Sequence, residues 1–141
     1  MRFDNSERPV SERDIESVET TLGISLPAEL RASYLLSNGG CPNPYVFEND
    51  EVDTVVAAFL PLKAAAQETA VDVYRHLVLA ESVVAAELFP FAADGGGDYF
   101  FVDCSPDTGD VYFFASDTAS GGELIALGLS VEEFWSGLKE E

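Results

Sequence analysis

Residues 98–114, DYFFVDCSPDTGDVYFF, set two short aromatic runs on either side of a segment built to turn. Short apolar runs bounded by turn residues read as strands. Pro106-Asp107 suits the start of the turn, and Gly109 suits the left-handed position of a three- or four-residue hairpin loop. Residues 98–104 and 111–116 are therefore expected to pair as an antiparallel hairpin. In both runs the two alternating sets are apolar: Tyr99 and Phe101 with Phe100 and Val102, then Val111 and Phe113 with Tyr112 and Phe114. A strand with one wet face alternates apolar and polar residues. Either both sheet faces are covered by helices or long loops, or one face is a surface for a partner.

The rest of the chain supplies the covering elements. SERDIESVETTLG predicts a helix, with Ser11 and Asp14 as a capping box, Ile15, Val18 and Leu22 on one face, and Gly23 as its end. SLPAELRASYLLSNGG predicts a second. Pro27 suits its first turn, Leu30, Tyr34 and either Leu35 or Leu36 form its apolar stripe, and Asn38-Gly39-Gly40 stops it. Residues 41–54 read as loop with an edge strand at 45–47, and 55–62 as a strand. Residues 64–87 are helix-prone, with Val73, Leu77 and Leu88 available to a core. LFPFAAD (88–94) and GGELIALGLS (121–130) read as further strands. SVEEFWSGL closes the chain as a helix, with Ser130 and Glu133 as capping box and Phe134, Trp135 and Leu138 as its apolar side. This order defines an α+β class, with N-terminal helices and a C-terminal helix packed on a mixed, mostly antiparallel sheet. A length of 141 residues fits a single domain, 1–141, with a core from about 11 to 138. A hydrophobic content of 47% suits a packed core and not disorder.

Charge narrows the choice of partners. The chain holds 26 acidic and 7 basic residues, a formal net of −19. Residues 1–31 carry 4 − 7 = −3, and residues 32–141 carry 3 − 19 = −16. Such a surface repels nucleic acid and anionic membranes and attracts basic proteins. The same balance also serves solubility, or a salt-loving host. No apolar run reaches the ~20 residues of a membrane helix, and the N-terminus shows no secretory signal. Cys41 and Cys104 form no CxxC pair, so a reducing cytoplasm is the expected location.

Catalytic and ligand-binding sets are missing from the sequence. Asp94-Gly95-Gly96-Gly97-Asp98 has no lysine, precedes an aromatic strand, and flanks its glycines with carboxylates that would repel a phosphate. The glycines are expected to give a sharp turn at positive φ, one that can also touch a partner. Counted as a calcium loop from Asp103, position six is Thr108 and position twelve is Phe114, which fails the pattern. His76 is the only histidine, so neither a zinc site nor a histidine-activated nucleophile is expected. Cys104 reads as a small buried hydrophobe, while Cys41 follows Gly40 in a loop and is expected to be exposed. No metal, cofactor, small-molecule substrate or enzymatic activity is expected.

Taken in order, LPAELRASYLLSNGG, FPFAADGGGDYFFVD, GDVYFFASD and SVEEFWSGL resemble the Smi/Knr-like family of the SUKH superfamily, from about Ser11 to Leu138. The resemblance implies a small α+β domain without shared catalytic residues. It gives structural roles to Pro27 at a helix entry, to Asn38, Gly39 and Gly40 at a helix stop, and to Gly95, Gly96, Gly97 and Asp103 around a turn. Many bacterial members are immunity proteins that bind and neutralise a toxin, often a nuclease. Fungal relatives are linked to cell-wall regulation, which leaves a regulatory or scaffold module as the alternative. The acidic loop Glu48, Asp50, Glu51 and Asp53 departs from the family pattern. Together with Asp94, Asp98, Asp107 and Asp110 it is expected to form a face for a basic toxin domain.

Overall fold

The structure, a computed structural model, describes residues 1–119 and 121–141. Six strands form one sheet in chain order: β3 (Val46–Glu48), β4 (Asp53–Phe59), β5 (Leu88–Asp94), β6 (Tyr99–Asp103), β7 (Asp110–Ala115) and β8 (Glu123–Ser130). The sheet expected to be mixed but mostly antiparallel is antiparallel at every pairing between these strands. The hairpin read from the aromatic runs is β6–β7, with Tyr99 opposite Phe114 and Phe101 opposite Tyr112. Gly109 takes φ +98° in its turn. A two-stranded ribbon joins β1 (Arg2–Asp4) to β2 (Cys41–Asn43). The sequence reading puts 41–43 in a loop and assigns 2–4 to no element, because three residues are too few to show a period.

Four helices complete the chain: α1 (Glu12–Leu22), α2 (Ala28–Leu36), α3 (Ala70–Val73) and α4 (Val131–Ser136). Both expected capping boxes form, Ser11 with Asp14 and Ser130 with Glu133, and Gly23 ends α1 in the left-handed region. A third box, Thr69 with Asp72, starts α3, which continues as a π-helix over Tyr74–Ala80. The helix expected somewhere within 64–87 is thus confined to its middle, and Leu88 belongs to a strand. In α2, Leu30 and Tyr34 are buried as expected, but both Leu35 and Leu36 are exposed.

Aromatic rings make the core. Phe134 of α4 packs on Phe47, Phe91 and Phe100 with ring centroids 4.8–5.5 Å apart. Tyr34 stacks on Phe59 at 4.5 Å, and Trp135 meets Phe59 edge-on at 5.1 Å. Since Phe100 faces α4, its neighbours Tyr99 and Phe101 point to the other face of the sheet. Phe101 is buried there as well. Tyr112 and Phe114 on β7 are only half-buried and Leu124 on β8 is exposed, so cover on this face thins toward β8.

One buried amide ties the connections together. Asn38 is 1% exposed. Its Nδ2 donates to Arg8 O and Lys63 O, both at 2.9 Å, and its Oδ1 accepts from Leu62 N at 2.8 Å. Asn38→Ala would leave one amide and two carbonyls without these partners. We expect a loss of about 2–4 kcal/mol, read by urea unfolding. A loss under about 1 kcal/mol would mean the amide is not structural.

The start of α1 has a titrating clasp. Lys63 Nζ donates to Asp14 Oδ1 at 2.6 Å, and the Ser11 amide and hydroxyl donate to Oδ2. Chiefly through Lys63, then Ser11, the Asp14 carboxyl is held at about 2, below its ordinary 3.8. A depressed carboxylate contributes stability that is full above the unfolded value and lost as pH falls through the folded one. The Asp14 contribution should therefore fade between its ordinary 3.8 and about 2. In a carboxyl NMR titration, Lys63→Ala should move the Asp14 midpoint up toward 3.8. An unmoved midpoint would show that Ser11 alone sets it.

Candidate partner-binding surface

In an up-and-down sheet, alternate turns lie at the same end. The β3–β4 and β5–β6 turns are neighbours accordingly. Val56 is opposite Asp94, Gly95 N donates to Val55 O at 2.9 Å, and the Thr54 hydroxyl donates to Asp94 Oδ2 at 3.0 Å. The end of β7 joins them, because the Ser116 amide and hydroxyl both donate to Asp98 Oδ1. Six of the eight acids singled out in the sequence thus share one end of the sheet: Glu48, Asp50, Glu51, Asp53, Asp94 and Asp98. Asp107 and Asp110 sit at the opposite end, where their turn brings Gly109 against Pro27. The fold does not bring all eight into one face.

Local chemistry aims the first group. The Asn49 side chain accepts from Glu51 N and Val52 N at 2.9 and 2.7 Å, and Val52 is buried beneath the turn. Asp50, Glu51 and Asp53 are left pointing to solvent. Glu48 is different, because it is ion-paired with Lys139. That lysine is held by a two-way backbone bridge between Lys139 and Val46, with both bonds at 2.9–3.0 Å.

The glycine loop does cradle an anion, and the anion belongs to the chain. Asp94 Oδ1 accepts from Gly96 N at 3.0 Å and Asp98 N at 2.7 Å. A carboxylate already fills the place a phosphate would take. Among its glycines only Gly97 has positive φ, +94°, so the left-handed position expected across the three falls on the last. Asp103 plays the same part at the other end, where its Oδ1 accepts from Ser105 N at 2.8 Å and its carbonyl from Gly109 N at 3.1 Å.

Sequence reasoning missed Asp117, Glu123 and Glu141. Asp117 follows Ser116, Glu123 is opposite Ala115, and Glu141 Oε2 accepts from the Tyr45 hydroxyl at 3.4 Å. All three are exposed and extend the acidic end. The signal that finds the first two is turn parity. A meander that puts residues 48–53 and 94–98 at one end must put the β7–β8 connection there too, and the β6–β7 turn at the other.

The nucleophile candidates are poorly placed. Burial first, then Asp103 and Glu19, pushes the Cys104 thiol up to about 12, which keeps it protonated at neutral pH. Cys41 is exposed. His76 is exposed on the π-helix, with Nε2 3.0 Å from Glu81. Among the described residues, no group of three or more His, Cys, Asp or Glu is placed to hold a metal ion, and no helix is long and apolar enough to cross a membrane.

A six-stranded antiparallel sheet packed with helices, three of them opened by capping boxes, with carboxylates clustered at its turns, makes this an α+β fold. The SMI1/KNR4 family (SUKH-1) matches residues 9–137, and the chain belongs to this family. No curated protein matches the sequence.

The two loop glycines should respond differently to alanine. A Cβ on Gly97 meets nothing within 4 Å, so Gly97→Ala should cost only the left-handed backbone penalty, about 1–2 kcal/mol. At Gly96 the added Cβ would lie 3.7 Å from Asp94 Oδ1, an ordinary contact. Gly96→Ala should stay within about 0.5 kcal/mol of the parent. Thermal unfolding of both variants gives the comparison, and equal losses would contradict this account of the loop.

Proposed function

We propose that this protein is a non-catalytic immunity protein that neutralises a basic toxin, of the nuclease kind, by covering its charged surface. The observation that carries the reading is the acidic end of the sheet. There Asp50, Glu51, Asp53, Asp117 and Glu123 are exposed at turns whose backbones are fixed by Asn49, Asp94 and Asp98. Membership of the SUKH-1 family supports it, since that family fits an immunity role in general. A nuclease must hold phosphates and so presents a basic surface. A preformed acidic surface speeds encounter with it and blocks the site on docking. The same reading places the protein in the cytoplasm, where it would guard its own cell.

The test starts with capture of the partner from host lysate and assay of its nuclease activity with and without this protein. Surface-plasmon kinetics then separate charge from contact. The on-rate should reach roughly 10⁸ M⁻¹s⁻¹ at low salt, against about 10⁵–10⁶ for unsteered docking. It should fall steeply as salt shortens the screening length from ~10 Å at 0.1 M to ~3 Å at 1 M. Reversing Asp50, Glu51 and Asp53 to lysine should slow association far more than it speeds dissociation. A salt-independent on-rate, unchanged by the reversals, would reduce the acidity to solubility. A captured partner without toxin activity would favour the regulatory or scaffold module.

A further inference from the structure

An apolar groove of about 510 Å³ runs between α2 and α4. Trp135 and Leu138, 5% and 6% exposed, form its floor, and Ala32, Leu36, Pro44 and Met1 form its walls. Leu36 is 74% exposed, so the groove is open and its wall is not part of the core. Seven large apolar side chains are exposed among the described residues. Met1 and Leu36 line this groove, and Leu35 and Tyr45 adjoin its walls in the chain. Helix α2 therefore carries apolar surface that its own core does not use, and Leu36 brings part of it to this groove.

The lip of the groove is acidic. Glu29 and Glu132 flank it, and Glu29 Oε1 accepts from Glu132 N at 2.9 Å, which holds that carboxylate in position. Arg2, on the neighbouring ribbon, is paired with Asp4 at 3.1 Å. Glu29 and Glu132 lie two residues beyond Pro27 and Ser130, which meet the Asp107–Asp110 turn, so the groove adds carboxylates on a flank away from the acidic end described above. A second copy of the chain is a poor occupant: it would bring Glu29 and Glu132 against their own kind, within a molecule of net charge −19.

We propose that this groove is the anchor pocket of the interface, taking a large apolar side chain flanked by lysine or arginine on a basic protein partner. The identity of the occupant as basic rests on the function proposed above. Charge at the turns then sets the encounter, and the groove sets how long the complex lasts.

The test uses acetylated, amidated peptides KKWKK, KKAKK and EEWEE, titrated into the ¹⁵N-labelled chain. KKWKK should shift the amides of Ala32, Ser33, Leu36 and Ser136 saturably. KKAKK should bind about tenfold more weakly, because it lacks the buried ring. EEWEE should cause no saturable shift. Leu36→Ser, at an exposed position, should weaken KKWKK about fivefold, while Leu79→Ser, exposed elsewhere, should leave it unchanged. Equal binding of KKAKK and KKWKK would overturn the groove in favour of charge alone. Equal binding of EEWEE and KKWKK would overturn the basic occupant, and a dimer in sedimentation velocity that Leu36→Ser dissociates would replace it with a second copy. Shifts confined to other surfaces would also overturn the proposal. If KKWKK fills the groove but the captured partner is no toxin, this inference stands and the toxin reading falls. If a toxin binds with charge-dependent kinetics and Leu36→Ser changes nothing, the reverse holds.

Discussion

The amide of Asn38 is the interaction on which the arrangement of the chain depends. Hydrophobic burial brings helices to a sheet, but it is non-directional and does not set how the connections run. Asn38 does this with three hydrogen bonds, to the segment before α1 through Arg8 and to the exit of β4 through Leu62 and Lys63. The two glycines after it allow the close approach. A Cβ on Gly39 would lie 2.9 Å from Phe59 O, and one on Gly40 would lie 2.8 Å from Asp4 O. The β1–β2 ribbon, the end of α2 and the end of β4 therefore meet at one junction. From it Tyr34 reaches Phe59 and Leu60 O, and Phe59 reaches Trp135 of α4.

With that junction fixed, the meander sorts the carboxylates. Some are occupied within the protein: Asp94 and Asp98 order the β5–β6 and β7 ends, Asp103 and Asp14 order a turn and a helix start, and Glu48 pairs with Lys139. Others, at Asp50, Glu51, Asp53, Asp117 and Glu123, project from the turns so ordered. The separation matters for any charge-based account. Reversal of the first group would disturb the fold, whereas reversal of the second changes the field that an approaching partner meets.

Much of this was legible in the sequence where a local rule has one outcome. The Ser11–Asp14 and Ser130–Glu133 boxes, Gly23, the 98–116 hairpin and Phe134 with Trp135 follow from spacing alone, and the order of segments led to both fold class and family. What was not legible depends on contacts far apart in the chain. The ribbon at Arg2–Asp4 exists because Cys41–Asn43 lies beside it. Leu35 and Leu36 fit a helix stripe by spacing, yet α2 has core on one side only and leaves both outside. The acids were chosen by proximity to turns. Proximity does not distinguish the two ends of a sheet: Asp107 and Asp110 lie a strand length from the other six, while Asp117 and Glu123 lie beside them.

The proposed partner meets the acidic turns at one end of the sheet and also the α2–α4 groove. Amide hydrogen exchange of the protein, free and bound to its captured partner, addresses this without any substitution. Slowed exchange is expected in the turns at 48–53 and 94–98 and at the C-terminal half of α2. Protection confined to the 104–110 turn, or to α1 and α3, would contradict it.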